Sequence, residues 1–543
     1  MKPNIYFMRH KMKKFQQLEN ELRLFYSTIK EAGTFLYEHP EIARNEFSGA
    51  AYLSSVYEEN GFLVERGVGG FPTCFLAIYE NGSSSPCVGF FSDFDALPGL
   101  ALDGSGGAGH GCMHNLYAAT TLGTAIALKN YMEKEQIKGR IIVFGAPAEE
   151  DGGSKQYLAR QGMYKQVDAF FGMHPVPESN GVMFRKHIAI LSKKYRFFGK
   201  KAKVMDPQSK GHNALYAAEY FHLGIELFKL QEHPDCVISA IISEGGSSTS
   251  LIPEYSEVTM AFRGLDIGLI EELEKHVDQI ADGAASAFNC SNDKVEVTRY
   301  HNSNPNHRLA RCAQSNALCV GSPVYSQEEL DDVSKRGYPE GFFTEIQDLP
   351  DEPVTILGGT DEGDASWLVP WLRISLASCP RHVPAHSLDF VYFAQSEYVH
   401  RGLQKTALAA AMTAVDFLTD ENLRLEAKQE LNRFQVNNIY PDSYERYPHP
   451  SLFPVTPGVK RVDEGVYVNL KKCPLFAKLQ HKTFYLVDGN NVLAKMEQGE
   501  EDSFLIPLPE NLHTNHAVRL CYTGQELITD DKEYFYTLSY IKL

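Results

Sequence analysis

Cys112 and His114 stand two residues apart in a glycine-rich loop, Gly109-His110-Gly111-Cys112-Met113-His114-Asn115, just ahead of a segment that reads as a helix. Thiolate sulfur and imidazole nitrogen are donors suited to Zn²⁺ and related divalent ions. Taken alone, a Cys-x-His pair is more often a buried cysteine beside a satisfied histidine. The run Pro147-Ala148-Glu149-Glu150-Asp151-Gly152-Gly153 sets three acids side by side, and these repel one another unless cations neutralise them. Two readings stand: a solvated acidic loop, or a metal-ligating carboxylate whose neighbour is a general base toward a metal-activated water. The buried-looking strand ahead of the run and the two glycines behind it lean toward the second. His174 also follows a buried-looking strand, and Pro175 keeps the chain from continuing it. Together these residues form a metallohydrolase-like constellation.

The elements that must position them alternate in type. Leu18, Leu22, Phe25, Ile29, Ala32 and Phe35 recur at steps of three and four, predicting one helix over 14–38 that Pro40 ends. Strands are predicted over 74–79, 88–91, 140–144 and 169–171, with a helix starting near Leu116. Such alternation predicts an α/β fold with a mostly parallel sheet sandwiched by helices, and ligands bind beyond the carboxyl ends of its strands. Ser92-Asp93-Phe94-Asp95, Ala148-Glu149-Glu150-Asp151 and Met173-His174 all fall at such ends. Residues 189–298 read as strand, helix, strand, strand, helix, strand, the ferredoxin-like order. This segment is inserted, because α/β texture resumes after Asn306 and closes in a helical stretch at 398–434. A Tyr- and Pro-rich linker at 440–458 leads into an all-β tail, with a hairpin signal at Asp488-Gly489-Asn490-Asn491. The expected domains are 1–188 and 301–435 for the two parts of one α/β domain, 189–300 for the insertion, and 445–543 for a small β module.

The 543 residues carry a net charge of −17, and 43% are hydrophobic, with 32 Phe and 28 Tyr. That composition excludes disorder as the dominant state. The charge argues against nucleic-acid and anionic-membrane partners, which need clustered Lys and Arg. No apolar run is long enough to span a bilayer, and the first twenty residues contain no apolar core of a secretory signal. The ten cysteines form no CxxC pair. A cytoplasmic protein is expected.

Several motifs resemble one family in order. Glu38-His39-Pro40-Glu41-Ile42, Asp95-Ala96-Leu97-Pro98-Gly99, the Gly-His-Gly-Cys-x-His-Asn loop, Pro-Ala-Glu-Glu and Met173-His174-Pro175 are similar to those of M20-type metallopeptidases and amidohydrolases. The likeness is greatest to the aminobenzoyl-glutamate hydrolase B-subunit and M20-domain dipeptidase group. Gly245-Gly246, Ala261-Phe262-Arg263, the stretch from Gly359 to Trp367, His386-Ser387 and His400-Arg401-Gly402 agree with it. The resemblance spans roughly residues 20–435 and leaves out the C-terminal module. It implies two divalent ions per subunit, Zn or Mn, held by Cys112, His114, Glu150, His174 and His386. Glu149 matches the base that takes a proton from a metal-bridging water. The insertion resembles the family's lid and dimerisation domain, which implies a homodimer, and Arg263 matches an arginine that grips a substrate carboxylate; a surface salt bridge is its alternative. Asp95 either orients a metal ligand or caps a turn. The implied activity is metal-dependent hydrolysis of a dipeptide, an N-acyl amino acid or an aminobenzoyl-glutamate-like amide.

The chain also departs from that pattern. Lys203 stands where the family has a lid histidine that supports the oxyanion, Ser250 replaces the usual Asn, and Met113 replaces a small Gly. An ammonium at Lys203 also suits an oxyanion, with different reach. The alternative these changes raise is a catalytically weak protein of the same fold that binds an amino-acid conjugate or a protein partner.

Overall fold

Seven strands form the central sheet of the protein, described here in a computed structural model covering residues 5–205, 210–229, 236–441 and 444, and strands between 458 and 542. Their order is β1 (Leu63–Arg66), β2 (Phe75–Asn81), β4 (Gly139–Gly145), β3 (Cys87–Ser92), β5 (Ala169–Gly172), β14 (Trp371–Leu376) and β6 (Asn180–Met183). The four central strands, β4, β3, β5 and β14, run parallel, and antiparallel strands close the sheet at both sides. Strand β3 is buried along its whole length, as its sequence Cys-Val-Gly-Phe-Phe-Ser suits a strand covered on both faces. Phe91 stacks on Phe170 of β5 at 4.3 Å and meets Phe144 of β4 at 6.0 Å, an aromatic layer beneath the strand ends.

Helices His114–Lys134 and Glu397–Thr419 pack on each other and on β3. The alanine-rich middle of the second, buried from Ala407 to Ala411, allows the close approach. The helix predicted over 14–38 is two helices, Ile5–Leu24 and Tyr26–Glu38, broken at Phe25 (φ −112°). The first packs on both long helices and the second on His114–Lys134 and Phe47–Glu59.

Lys186–Ser303 and Thr355–Asp364 form a second compact unit. Its sheet runs β12 (Ser291–Tyr300), β7 (Arg185–Phe198), β11 (Tyr255–Gly264), β9 (Cys236–Glu244), and β13 (Val354–Gly359) also pairs with β7. The predicted four-stranded lid sheet therefore has a fifth strand, supplied from far along the chain. Strands β7 and β11 alternate buried and partly exposed residues. Their buried Tyr195, Phe197, Val258, Met260 and Phe262 share the interior with Phe221 and Ile225 of helix Ala214–Lys229 and with Leu273 and Val277 of helix Ile267–Ala287. A two-residue pairing, β8 (Ala202–Lys203) with β10 (Leu251–Ile252), lies apart from this sheet.

The C-terminal strands make two antiparallel sheets. Gly458–Val462, Gly465–Asn469 and Ser503–Pro507 form one; Thr483–Asp488, Asn491–Glu497, Ala517–Gly524 and Tyr534–Lys542 form the other. Phe484 and Phe504 meet between the sheets at 4.7 Å. The expected hairpin forms, with Asp488 opposite Asn491, while its Gly489 and Asn490 lie outside the described residues. Most of the 440–458 linker is also outside them; Tyr444 covers the Arg160 guanidinium at 4.8 Å. Among the described residues, no helix is long and apolar enough to cross a membrane.

Candidate active site

Three adjacent parallel strands deliver the chemistry. Asp93 and Asp95 follow β3, Glu149 and Glu150 follow β4, and His174 follows β5. All sit beyond carboxyl ends, where an open α/β sheet binds its ligands. Cys112 and His114 arrive on the loop that opens helix His114–Lys134, and His386 on a loop beyond β14. The donor atoms of Cys112, His114 and His174 lie within 4.8 Å of one another, as do those of Cys112, Glu150 and His386 and those of His114, Glu149 and Glu150. Cys112 Sγ is 3.5 Å from His174 Nε2, His386 Nε2 is 3.5 Å from Glu150 Oε2, and His114 Nε2 is 3.9 Å from both Glu149 and Glu150. The six residues read from the sequence as ligands and base converge on one place.

Their neighbours turn them inward. Asp95 Oδ1 holds His114 Nδ1 at 2.8 Å, and Asp95 Oδ2 accepts from Glu150 N at 3.0 Å, so Asp95 orients two members of the cluster rather than only capping a turn. His174 Nδ1 is 2.8 Å from the Pro175 carbonyl. With both Nδ1 atoms engaged by oxygen acceptors, both Nε2 atoms face the cluster, as in carboxylate–histidine–metal arrangements. The His386 loop is docked by its own backbone, its N–H donating to Gly111 O at 2.7 Å. Gly109 admits no side chain, because a Cβ there would lie 2.2 Å from Leu100 O. Three positions at the site hold left-handed backbone without being glycine: Met113 (φ 57°), Ala148 (φ 64°) and His386 (φ 59°). Such conformations cost non-glycine residues about 1 kcal/mol or more and persist where surroundings over-determine them. Met113 keeps its strained backbone because its side chain is fully buried beside Leu116, Cys379 and Phe390.

The electrostatics are those of a site short of positive charge. Burial, followed by repulsion from Glu149 and Asp95, pushes the Glu150 carboxyl up to about 8. Burial and Glu150 push the Cys112 thiol up, and burial holds His174 well below the usual imidazole range, hence neutral. His114 Nε2 and Glu150 Oε1 are buried and accept no hydrogen bond. A divalent cation fits these residues: soft and hard donors converge, two inward-facing atoms lack hydrogen-bond partners, and a cation offsets the repulsion between acids that adds to burial in each upward shift.

Arg263 and Lys203 belong to the second unit. Arg263 is exposed on β11, on the sheet face away from the helices, and donates to Ser239 Oγ at 3.1 Å. Lys203 is exposed on β8 opposite Leu251, one residue from Ser250.

Some buried supports escaped the sequence reading. His110 donates from Nε2 to Leu36 O at 3.0 Å, and burial lowers it to about 4, which keeps it neutral. Asn115 donates to Gly33 O and Ala394 O, tying the metal-type loop to two distant segments. Lys155 pairs with Asp93 at 2.7 Å, both fully buried. Glu46, fully buried, accepts from Ala148 N at 2.8 Å. Each partner lies tens of residues away, beyond any spacing rule; only the glycine-flanked His and Asn of the loop gave a local signal.

Comparison with known proteins agrees with the geometry. Residues 89–317 match the sequence pattern of Peptidase family M20/M25/M40. The chain is 27% identical over 442 residues to the B-subunit of p-aminobenzoyl-glutamate hydrolase from Escherichia coli K12, covering 73% of this chain and 90% of that protein. It is 27% identical over 420 residues to the Xaa-Arg dipeptidase of Mus musculus, covering 74% and 89%. The crystal structure of an aminobenzoyl-glutamate utilization protein from Klebsiella pneumoniae shares the fold, with a TM-score of 0.53 at 16% identity over 73% of this chain and 98% of that one. Residues 89–317 carry a Peptidase M20 domain, and along most of its length the chain is similar to hydrolases and dipeptidases of that kind.

Proposed function

We propose that the protein hydrolyses the amide between an acyl or aminoacyl group and an amino acid with a free carboxylate: a dipeptide, an N-acyl amino acid or an aminobenzoyl-glutamate-like conjugate. The observation that carries this reading is the convergence of six donor residues around two unpartnered buried atoms, His114 Nε2 and Glu150 Oε1. The names of the relatives, aminobenzoyl-glutamate hydrolase and dipeptidase, support the substrate class. Cys112, His114, Glu150, His174 and His386 are the residues that would hold two divalent ions, Zn or Mn. Ions held there supply Lewis acidity, polarising the scissile carbonyl and making a water more acidic. Glu149 takes the proton from the attacking water and returns it to the leaving amine. Asp95 keeps His114 in the tautomer whose Nε2 faces the cluster. Arg263 is assigned the substrate carboxylate and Lys203 the charge developing on the carbonyl oxygen, both on family resemblance.

The test is a panel of dipeptides, N-acyl amino acids and aminobenzoyl-glutamate, assayed with Zn²⁺ or Mn²⁺ and again after chelation. Hydrolysis of at least one compound, lost on chelation and restored by metal, is expected. Metal binding without turnover on any of them would favour the second reading, a catalytically weak binding protein, to which Lys203 and Ser250 point.

We also assign a homodimer through the inserted unit. Strand β9 is an edge strand among the described residues, and the adjacent helix Ala214–Lys229 exposes Tyr216, Tyr220, Leu223 and Leu227 at helical spacing. An unpaired edge beside an apolar stripe is a surface that self-association covers. Light scattering at micromolar concentration is expected to give the mass of a dimer; a monomer would contradict the assignment.

A further inference from the structure

Glu46 is an acid the proposed reaction does not use, fully buried at the foot of the Glu149 turn. Its Oε1 accepts from Ala148 N and from Arg44 N, each at 2.8 Å, and its Oε2 accepts from Thr73 Oγ1 at 3.0 Å. Ala148 is the residue immediately before Glu149, and it holds a left-handed φ of 64° that an alanine adopts only under constraint. The far end of the same turn is tied from the same place: Arg44 Nη1 donates to Asp151 Oδ2 at 3.1 Å. Inside the turn, Ala148 O accepts from Gly153 N at 2.8 Å. The Arg44–Glu46 segment thus grips both ends of the stretch that presents Glu149 and Glu150, and it donates no atom to the cluster.

We infer that Glu46 is a positioning residue, whose carboxyl locks the strained Ala148 turn and so aims Glu149 at the reacting water. The inference rests on the reading of Glu149 as base. Its physical content is reach: an acceptor must sit one full Glu side chain out from the backbone at position 46 to meet the Ala148 N–H. A buried amide that loses its acceptor costs the turn its preferred conformation. A base displaced by about 1 Å can lose up to about 10²-fold in rate.

Two substitutions separate reach from charge. Glu46→Gln keeps the length and a carbonyl oxygen that can accept both N–H groups; Glu46→Asp keeps the carboxyl group but falls one methylene short. With metal-loaded protein and a substrate the parent cleaves, Glu46→Asp is expected to lower kcat by about 10- to 100-fold. Its KM and metal content should stay near those of the parent, and Glu46→Gln should retain turnover within about threefold. Hydrogen exchange over 146–151 supplies a readout that needs no substrate. In Glu46→Asp that segment should exchange about tenfold faster while the rest of the protein keeps its protection, and in Glu46→Gln it should match the parent. A parent that cleaves nothing would count against Glu149 as base, and the exchange contrast would still decide whether Glu46 holds the turn. If Glu46→Asp does not fold, Thr73→Val, which frees Oε2, should shift exchange and kcat the same way by about threefold. Parent-like exchange and kcat in a folded Glu46→Asp, or the reverse ranking of Asp and Gln, would overturn the inference.

Discussion

Glu149→Gln is expected to yield a folded, metal-replete protein whose turnover falls by about 10²–10⁴-fold, toward the upper end. The substitution keeps the volume and the outline of the side chain and removes only the capacity to take and give a proton. No hydrogen bond from the Glu149 side chain is needed to turn His114, because Asp95 does that from Nδ1, or His174, because Pro175 O does. All five residues assigned as ligands remain in place. The loss is placed at the upper end because the same carboxyl is assigned two transfers, from the water and to the amine. Steady-state rates, elemental analysis and a melting curve on the same preparation check the result. Full turnover would mean that the base is misassigned.

Glu150→Ala is expected to fail in another way. Its Oε1 is buried without a partner and its Oε2 is 3.5 Å from His386 Nε2, so it joins the inner histidines to the outer one. Removing it should weaken metal binding by at least about 10²-fold, since even residues behind the ligands are worth 10- to 100-fold. Activity should go with the metal. The metal-free protein should lose little stability, because burial and the neighbouring acids already hold this carboxyl up to about 8. An apo melting temperature close to the parent's, with metal no longer raising it, is the expected pattern. If Glu149→Gln loses metal as Glu150→Ala does, the two roles are shared or exchanged.

What the sequence made legible follows from which interactions are local. Cys112-x-His114, Glu149-Glu150 and the His174-Pro175 stop are each written in a few consecutive residues at strand ends, and the parallel strands β4, β3 and β5 bring those ends together. The alternating α/β order and the inserted strand–helix pattern were readable from periodicity for the same reason. Long-range returns were not. Strand β13 joins β7 across more than 150 residues of intervening chain, and no local feature distinguishes it from a strand of the central sheet. The break at Phe25 was hidden because the apolar steps from Leu18 to Phe35 continue through it, while the helices on either side share His114–Lys134 and differ in their second partner, Glu397–Thr419 for one and Phe47–Glu59 for the other. Nothing local marks Glu46, since its partner amide at Ala148 lies 102 residues on. Buried acids that serve the backbone of a distant turn leave no pattern in sequence.

The measurement that bears most directly on the account is the metal content of three proteins, the parent, Glu149→Gln and Glu150→Ala, each equilibrated with Zn²⁺ or Mn²⁺ and freed of unbound ions. Up to two ions per chain are expected in the parent, the same number in Glu149→Gln, and a clear loss in Glu150→Ala. A parent that retains no metal, with no rise in melting temperature when Zn²⁺ or Mn²⁺ is added, would contradict this expectation.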